Sequence, residues 1–401
     1  MPRPRKKLAS KATVLKKKTA PARRAKKAAI KKAPGRAAIL RVLRKAAGKS
    51  VRVKPHQLER HEKNPIVEPR EDLFWEMKAT FNPGAVYADR RVHLLYRAIG
   101  GDDVSVLGYA SSGDGMTIDE RLSEPAFVPS TRKKPEPGEP VTLPAYCSGG
   151  GWNGGCEDPR LTLIGERVYL MYTAFDGWGS IRIALTSIGI KDFLEKRWHW
   201  EKPSLISPPG QIHKNWVLFP EKIKGKYALL HSISPNILVD YFDSLEELKP
   251  DDAIVKSRYD RVSKTGGWDT WIRGAGPPPI KTKLGWLLFY HAMDIRDPDR
   301  YKLGAMILDL DDPTKILYRS RMPILEPDAD YENRGFKAGV VYSCGAVVKD
   351  GELYVYYGGG DTVVCVAMTN LEKFLRELKE HGTPRLTPET KTGRIARNAT
   401  R

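Results

Sequence analysis

The sequence predicts an all-β domain behind a basic, unfolded tail, on three observations. Charge is segregated: residues 1–50 hold 19 Lys and Arg and no Asp or Glu, while the rest is nearly balanced at 49 basic against 48 acidic residues. From about residue 55 aromatic and β-branched residues, Gly and Pro become frequent and helical periodicity disappears. Short apolar runs then recur: five times a turn leads into a strand that ends on a polar or small residue.

Residues 1–54 are Lys, Arg and Ala with scattered Pro, too charged to bury the apolar area that would offset the entropy of ordering. The tail is expected to be disordered alone, with 36–49 able to form a short basic amphipathic helix on a surface. Two readings stand side by side. One is an electrostatic tether to nucleic acid, anionic lipid or another polyanion; the other is a solubility or targeting extension, an organelle transit peptide included. No aromatic residue interleaves the charges, so base stacking is not indicated. No stretch reaches the roughly 18 apolar residues that a membrane span needs. The basic start lacks an apolar h-region, so a cytoplasmic protein is expected. A homo-oligomer stays open.

The recurring strands are 91–97, 167–173, 226–231, 286–291 and 352–358, each behind a turn such as Gly165-Glu166, Lys224-Gly225 or Asp350-Gly351. Before each turn lies another apolar strand (84–87, 160–164, 218–223, 276–280, 345–348). A third follows each run (104–110, 181–185, 237–241, 301–306, 363–367). The spacing of roughly 60–75 residues suits a four-stranded blade with long loops. Residues 55–380 are thus expected to form a five-bladed β-propeller whose first strands line one axial channel. Residues 371–380 read as a closing helix and 381–401 as a frayed polar tail.

The chemistry centres on Cys156-Glu157-Asp158-Pro159-Arg160-Leu161. Residues i and i+2 of a strand share a face, so Asp158 and Arg160 are expected to look into one cavity. A carboxylate beside a permanent cation fits bond cleavage in the presence of an anion; the alternative is a structural ion pair at a strand start. The four cysteines (Cys147, Cys156, Cys344 and Cys365) form no CxxC pair, so neither a zinc site nor a thioredoxin motif is indicated. Cys147 and Cys156 flank a Gly-rich loop and are the one pair placed to bridge, with reduced thiols the default. No metal-ligand cluster is visible.

The first-strand motifs Asn82-Pro-Gly-Ala, Glu157-Asp-Pro-Arg, Phe219-Pro-Glu-Lys, Gly274-Ala-Gly-Pro and Ser343-Cys-Gly-Ala form one set. With Leu95-Tyr-Arg97-Ala, Tyr290-His291-Ala-Met-Asp294 and Tyr356-Tyr-Gly-Gly-Gly-Asp361, they closely resemble glycoside hydrolase family 130 over roughly residues 60–380. The resemblance implies a five-bladed propeller and an inverting phosphorylase of terminal β-mannosides, formally a glycosyl transfer to phosphate. Inorganic phosphate is then the co-substrate, α-mannose 1-phosphate the product, and no cofactor or metal is needed. β-1,4-Mannooligosaccharides are the first expectation; the residues themselves do not separate β-1,4 from β-1,2. Loops 131–156 and 255–273 are expected to set acceptor choice.

By resemblance, Asp158 matches the general acid, its proton passing through a hydroxyl of the mannosyl residue. Arg97, Arg160, Lys214 and His291 match phosphate-binding positions, with His231 a lesser candidate because Ser232 follows where the family often has arginine. Asn82, Asp294 and Asp361 match sugar-contacting regions. These residue types fit the chemistry. An inverting glycosidase needs a second carboxylate to activate water; a phosphorylase needs cations to hold a dianion instead. Each residue has a plainer alternative: Arg97 pairing with Asp102 or Asp103, Lys214 solvated, His291 a satisfied core histidine, and Asn82 or Asp361 a turn cap. Asn215 departs from the family's usual Asp after the lysine. Trp152, Trp178 and Trp216 either stack on sugar rings or pack internally. The rival functions are a mannoside hydrolase on the same scaffold and a non-catalytic carbohydrate-binding propeller.

Overall fold

The structure is a computed structural model, which describes residues 57–128, 153–177, 180–257 and 267–383. The chain divides into two units, Met1–Val53 and Lys54–Arg401, and the described residues all belong to the second. The basic tail, the polar C-terminus from 384, Cys147, Trp152 and Trp178 lie outside the described residues. Among the described residues no helix is long and apolar enough to cross a membrane.

The fold is all-β. In chain order the strands are β1 (Glu59–Arg60), β2 (Ala79–Ala88), β3 (Arg91–Ile99), β4 (Ser105–Ser112), β5 (Glu120–Arg121), β6 (Gly155–Ile164), β7 (Arg167–Phe175), β8 (Ile181–Gly189) and β9 (Ser204–Leu205). Then come β10 (Val217–Leu218), β11 (Tyr227–Ser232), β12 (Leu238–Phe242), β13 (Trp271–Ala275), β14 (Ile280–Thr282), β15 (Gly285–Asp294) and β16 (Asp297–Leu308). The last are β17 (Ile316–Arg319), β18 (Val341–Lys349), β19 (Glu352–Gly359) and β20 (Val363–Asn370). They form antiparallel sheets in sequence order: β2–β5, β6–β9, β10–β12, β13–β17, and β18–β20 with β1 added at the outer edge. The first two are joined by a single parallel bridge, Ser105 to Gly155. All five recurring strands are present as β3, β7, β11, β15 and β19. The outer strands β1, β5, β9 and β17 were not anticipated, because runs of two to four residues carry no readable period.

The apolar clusters lie between successive sheets. Leu95 and Tyr109 pack with Leu161 and Leu170, Met171 and Ile183 with Trp216 and Leu229, and Phe219 and Leu230 with Trp286 and Leu288. Phe289 and Leu303 pack with Val341 and Val355. Tyr354 and Val366 of the fifth sheet pack with Ala85 and Leu94 of the first. Strand alternation explains the arrangement. Leu94 and Leu95 are neighbours in β3 yet enter different clusters, because successive side chains leave opposite faces. Every sheet is therefore apolar on both faces. The expected closing helix is α2 (Leu371–His381), after the short α1 (Ile190–Leu194). Asn370 caps it by accepting from the Lys373 N–H at 3.1 Å, and Phe374, Leu375 and Leu378 enter the cluster between the fourth and fifth sheets.

Three sheets share a buried polar latch. In the first, Tyr96 donates to Glu76 at 2.8 Å and Arg121 of β5 pairs with the same carboxylate at 2.9 Å. In the fourth, Tyr290 donates to Asp269 at 2.7 Å and Arg319 of β17 pairs with it. In the fifth, Tyr357 donates to Glu332 at 2.8 Å and Arg60 of β1 pairs with it at 2.7 Å. Each latch ties the segment before an inner strand to the second strand and the outermost strand. Each acid follows an aromatic residue (Trp75, Trp268, Tyr331), and Trp75 and Trp268 stack on the latch tyrosines.

Candidate active site

Four inner strands break their ladder at the same level. The pairing shifts between Phe81 and Gly84, Glu157 and Arg160, Ile272 and Gly274, and Ser343 and Gly345. Left-handed residues sit at these breaks or at the matching position: Asn82 (φ 48°), Asp158 (φ 53°), Asn215 (φ 67°) and Gly274 (φ 129°). Only Gly and short Asx side chains enter this region at low cost, which accounts for Asn or Asp at three of the four positions. Asn215, the departure from the family's usual Asp, meets the same backbone demand.

The break overturns the expectation that Asp158 and Arg160 share a face. With an extra residue in the strand, the period of two no longer holds across it. The Arg160 guanidinium turns instead to the Asp158 backbone carbonyl at 2.8 Å, the Gly276 carbonyl at 2.9 Å and Asn215 Oδ1 at 2.8 Å. It is 2% exposed and ties the inner strand of the second sheet to those of the third and fourth. Asn215 also accepts from Tyr342 OH at 2.5 Å and donates to the Arg273 carbonyl at 2.9 Å.

Asp158 and Arg97 do meet. Asp158 Oδ1 accepts from Asn82 Nδ2 at 2.8 Å and from Arg97 Nη1 at 3.3 Å. Arg97 also donates to Ser105 Oγ at 3.0 Å and to Glu157 Oε1 at 3.0 Å, and its plane lies over the Phe81 ring at 4.8 Å. Its carboxylate partners are thus Glu157 and Asp158 rather than Asp102 or Asp103; Asp103 holds Lys78 at 2.8 Å. Lys214 is not a solvated loop lysine, for Nζ reaches Glu157 Oε2 at 2.8 Å. Glu157, which sequence reasoning passed over, bridges the two cations. Its signal was available: a carboxylate beside Asp158 in a strand buried on both faces needs a cation nearby.

Burial pushes the Asp158 carboxyl up, but the charges of Arg97, Lys214 and Arg160 and the Asn82 amide outweigh it and hold it well below the usual carboxylate range. Asp361 goes the other way. It is 5% exposed, at φ 51° in the turn between β19 and β20, and burial lifts it to about 6 against the pull of Lys337. Asp294 is a turn cap: it accepts from the Arg296 N–H at 2.9 Å and Nε at 2.8 Å, and the Arg296 pairing pulls it to about 2. His231 accepts or donates at Ser257 Oγ, 2.8 Å away. With Lys214, His213 and Arg273 it lines a pocket of about 40 Å³. Trp216 is packed at 1% exposure between His213 and His231, so it offers no face to a sugar.

His291 is not the cation expected from its place among phosphate-binding residues. Its Nε2 accepts the Ser343 backbone N–H at 2.9 Å, so the ring is neutral and Nδ1 carries the proton. The ring stacks on Tyr342 at 3.9 Å, and burial with Arg160 nearby lowers its pKa to about 3. Among the described residues, the buried atoms Asn82 Oδ1, Thr173 Oγ1 and His291 Nδ1 have no hydrogen-bond partner. The first needs a donor and the last an acceptor, so a ligand with both would satisfy them.

The buried histidines make the fold acid-sensitive. Burial lowers His213 to about 4 as well. An unfolded histidine takes up a proton below about 6.5 that these two refuse, so stability falls as pH drops from there. Asp361 opposes this, since its raised pKa favours the folded state as it protonates below about 6. His213 and His291 outweigh Asp361, and burial lowers His93 and His231 in the same direction, for a net loss of at least about 2 kcal/mol between pH 7 and 5. Urea midpoints should fall accordingly at constant m; an unchanged midpoint would contradict the assignment.

Among the described residues, no group of three or more His, Cys, Asp or Glu side chains is arranged to hold a metal. Cys156, Cys344 and Cys365 are buried free thiols.

The family profile described as beta-1,4-mannooligosaccharide phosphorylase matches residues 57–380. A 1,2-beta-oligomannan phosphorylase of Thermoanaerobacter sp. (strain X514) is 37% identical over 325 residues, 79% of this chain and 98% of that protein. A beta-1,2-mannobiose phosphorylase of the same organism is 35% identical over 332 residues, 79% of this chain and 98% of that protein. Among solved structures, the beta-1,2-mannobiose phosphorylase of Listeria innocua in complex with β-1,2-mannobiose superposes with a TM-score of 0.61 at 26% identity, covering 80% of this chain and 99% of that one.

Proposed function

The chain belongs to glycoside hydrolase family 130, and on that premise we propose that it is an inverting β-mannoside phosphorylase folded as a five-bladed β-propeller. The propeller reading is supported by five sheets in sequence order and by apolar clusters between successive sheets, the fifth and first included. The activity rests on one observation above all. The Asp158 carboxylate is held by the Asn82 amide beside the cations Arg97 and Lys214, which Glu157 bridges.

In this reading a phosphate oxygen attacks the anomeric carbon and the glycosidic C–O bond breaks on the opposite face. The leaving oxygen takes a proton from Asp158, by resemblance through a mannosyl hydroxyl. The proton lost from hydrogen phosphate as the ester forms restores Asp158, so the cycle balances. The acid must be protonated at turnover, yet Arg97 and Lys214 hold it ionised at rest. A dianion entering beside those cations offsets their field and moves Asp158 towards protonation. The neutral His291 Nδ1–H supplies a donor to the ligand, and Asn82 Oδ1 accepts from a sugar hydroxyl.

The hydrolase reading has one observation in its favour. Asp361 is a buried second carboxyl with no hydrogen bond among the described residues. Lifted by burial to about 6, it is ionised at neutral pH and suited to accept a proton from water; what favours the phosphorylase is the pair of cations, Arg97 and Lys214, held beside Asp158.

For linkage we take β-1,2. Both Thermoanaerobacter relatives, aligned over 98% of their length, are named for β-1,2 linkages, against the family profile's β-1,4, the linkage first expected. With phosphate in excess, β-1,2-mannobiose should release α-mannose 1-phosphate at least about tenfold faster than β-1,4-mannobiose, the scale of one well-placed hydrogen bond. The reverse order of rates would return the linkage to β-1,4.

A further inference from the structure

The recurring strands carry an internal repeat, Tyr96-Arg97-Ala98, Tyr172-Thr173-Ala174 and Tyr290-His291-Ala292. For the first two the match holds in three dimensions as well as in sequence. Arg97 lies opposite Phe81, just before the break at Asn82, and Thr173 lies opposite Glu157, just before the break at Asp158. Thr173 therefore occupies in the second sheet the place that Arg97 takes in the first. Cross-strand partners project from the same face, so its hydroxyl lies on the side where Glu157 holds Arg97 and Lys214. The side chain is 0% exposed and Oγ1 meets no hydrogen-bond partner among the described residues. A strand needs nothing polar at such a point, since valine has the same branched shape and no demand for a partner.

We propose that Thr173 is a phosphate-binding residue of the phosphorylase reaction described above, its hydroxyl donating to one oxygen of the attacking phosphate. The inference rests on that reading of the site. It assigns the hydroxyl to the anion rather than to the sugar for two reasons. Thr173 shares its repeat position with Arg97 and His291, both matched to phosphate binding, and it faces the carboxylate that holds the two cations.

The test is Thr173→Val in the full chain, with initial rates measured against phosphate at saturating mannoside and against mannoside at saturating phosphate. The KM for phosphate should rise about tenfold, the value of one hydrogen bond to a charged group, while kcat and the mannoside KM stay within about twofold. Thr173→Ser should restore the phosphate KM. Because valine removes an unpartnered buried hydroxyl, the melting temperature should hold or rise, which a purely structural threonine would not permit. Thr173→Ala serves as a second variant should valine disturb folding, with the same KM split expected. A phosphate KM within twofold of wild type, or a rise confined to the mannoside KM, would overturn the assignment. Failure of the wild-type protein to turn over mannoside with phosphate would instead overturn the reading on which it rests.

Discussion

Asp158→Asn should lower kcat by about 10³ while leaving the mannoside KM within a few-fold, the scale expected when a positioned acid is removed. Asparagine keeps an acceptor for the Asn82 amide and Arg97, so the inner strands retain their spacing. What it cannot do is give up a proton and take it back. The substitution should also cost stability at neutral pH. The Asp158 pKa is depressed in the folded state, so its ionised form stabilises the fold above the unfolded value of about 4, and that contribution fades only as pH falls below it. Melting curves of the two proteins should therefore stay apart at pH 7 and approach each other below about pH 4. A variant with undiminished kcat would remove Asp158 from the chemistry altogether.

Asp269→Asn should be the most destabilising single change outside the site, by about 3–5 kcal/mol. The substitution keeps the size of the side chain and removes the charge that Arg319 and the Tyr290 hydroxyl converge on, with Arg319 only 7% exposed. At about 2–4 °C per kcal/mol the melting temperature should drop by roughly 10 °C. A second change, Arg319→Met, should recover part of the loss by removing the stranded cation, since a buried ion pair is often replaceable by apolar side chains. Differential scanning calorimetry of the single and double variants measures both. A melting temperature unchanged in the single variant would mean that the latch does not hold the sheet.

The latches also mark what the sequence hid. The five second strands were legible because each is a six- or seven-residue apolar run behind a turn, and α2 because its period is 3.6 residues. The dipeptides Trp75-Glu76, Trp268-Asp269 and Tyr331-Glu332 are a regular signal too, an aromatic residue and then an acid ahead of three of the five inner strands. An isolated acid in a loop reads as solvated until its tyrosine and arginine are brought to it from tens of residues away. The outer strands were invisible for the same reason, being too short to show a period and defined only by their partners.

In the site, residue types were legible and their directions were not. Asp158 and Arg97 meet directly as the motifs suggest, and Lys214 joins them through Glu157, whose part depends on where Lys214 lies. The break at Asp158 cannot be read from Glu-Asp-Pro-Arg, because an inserted residue looks like any other until the opposite strand is in register. Arg160 accordingly fell on the wrong side of an alternation that does not survive the break. His291 was counted with the cations because it matches a phosphate-binding position by resemblance. The Ser343 N–H that fixes it as neutral comes from another sheet, more than fifty residues along the chain.

The most direct test of a mannoside phosphorylase is to incubate the protein with β-1,2-mannobiose, with and without inorganic phosphate, and follow the products by proton and phosphorus NMR. Turnover should depend on phosphate and yield mannose 1-phosphate of α configuration together with one equivalent of mannose. Two equivalents of mannose, formed at the same rate without phosphate, would contradict the account.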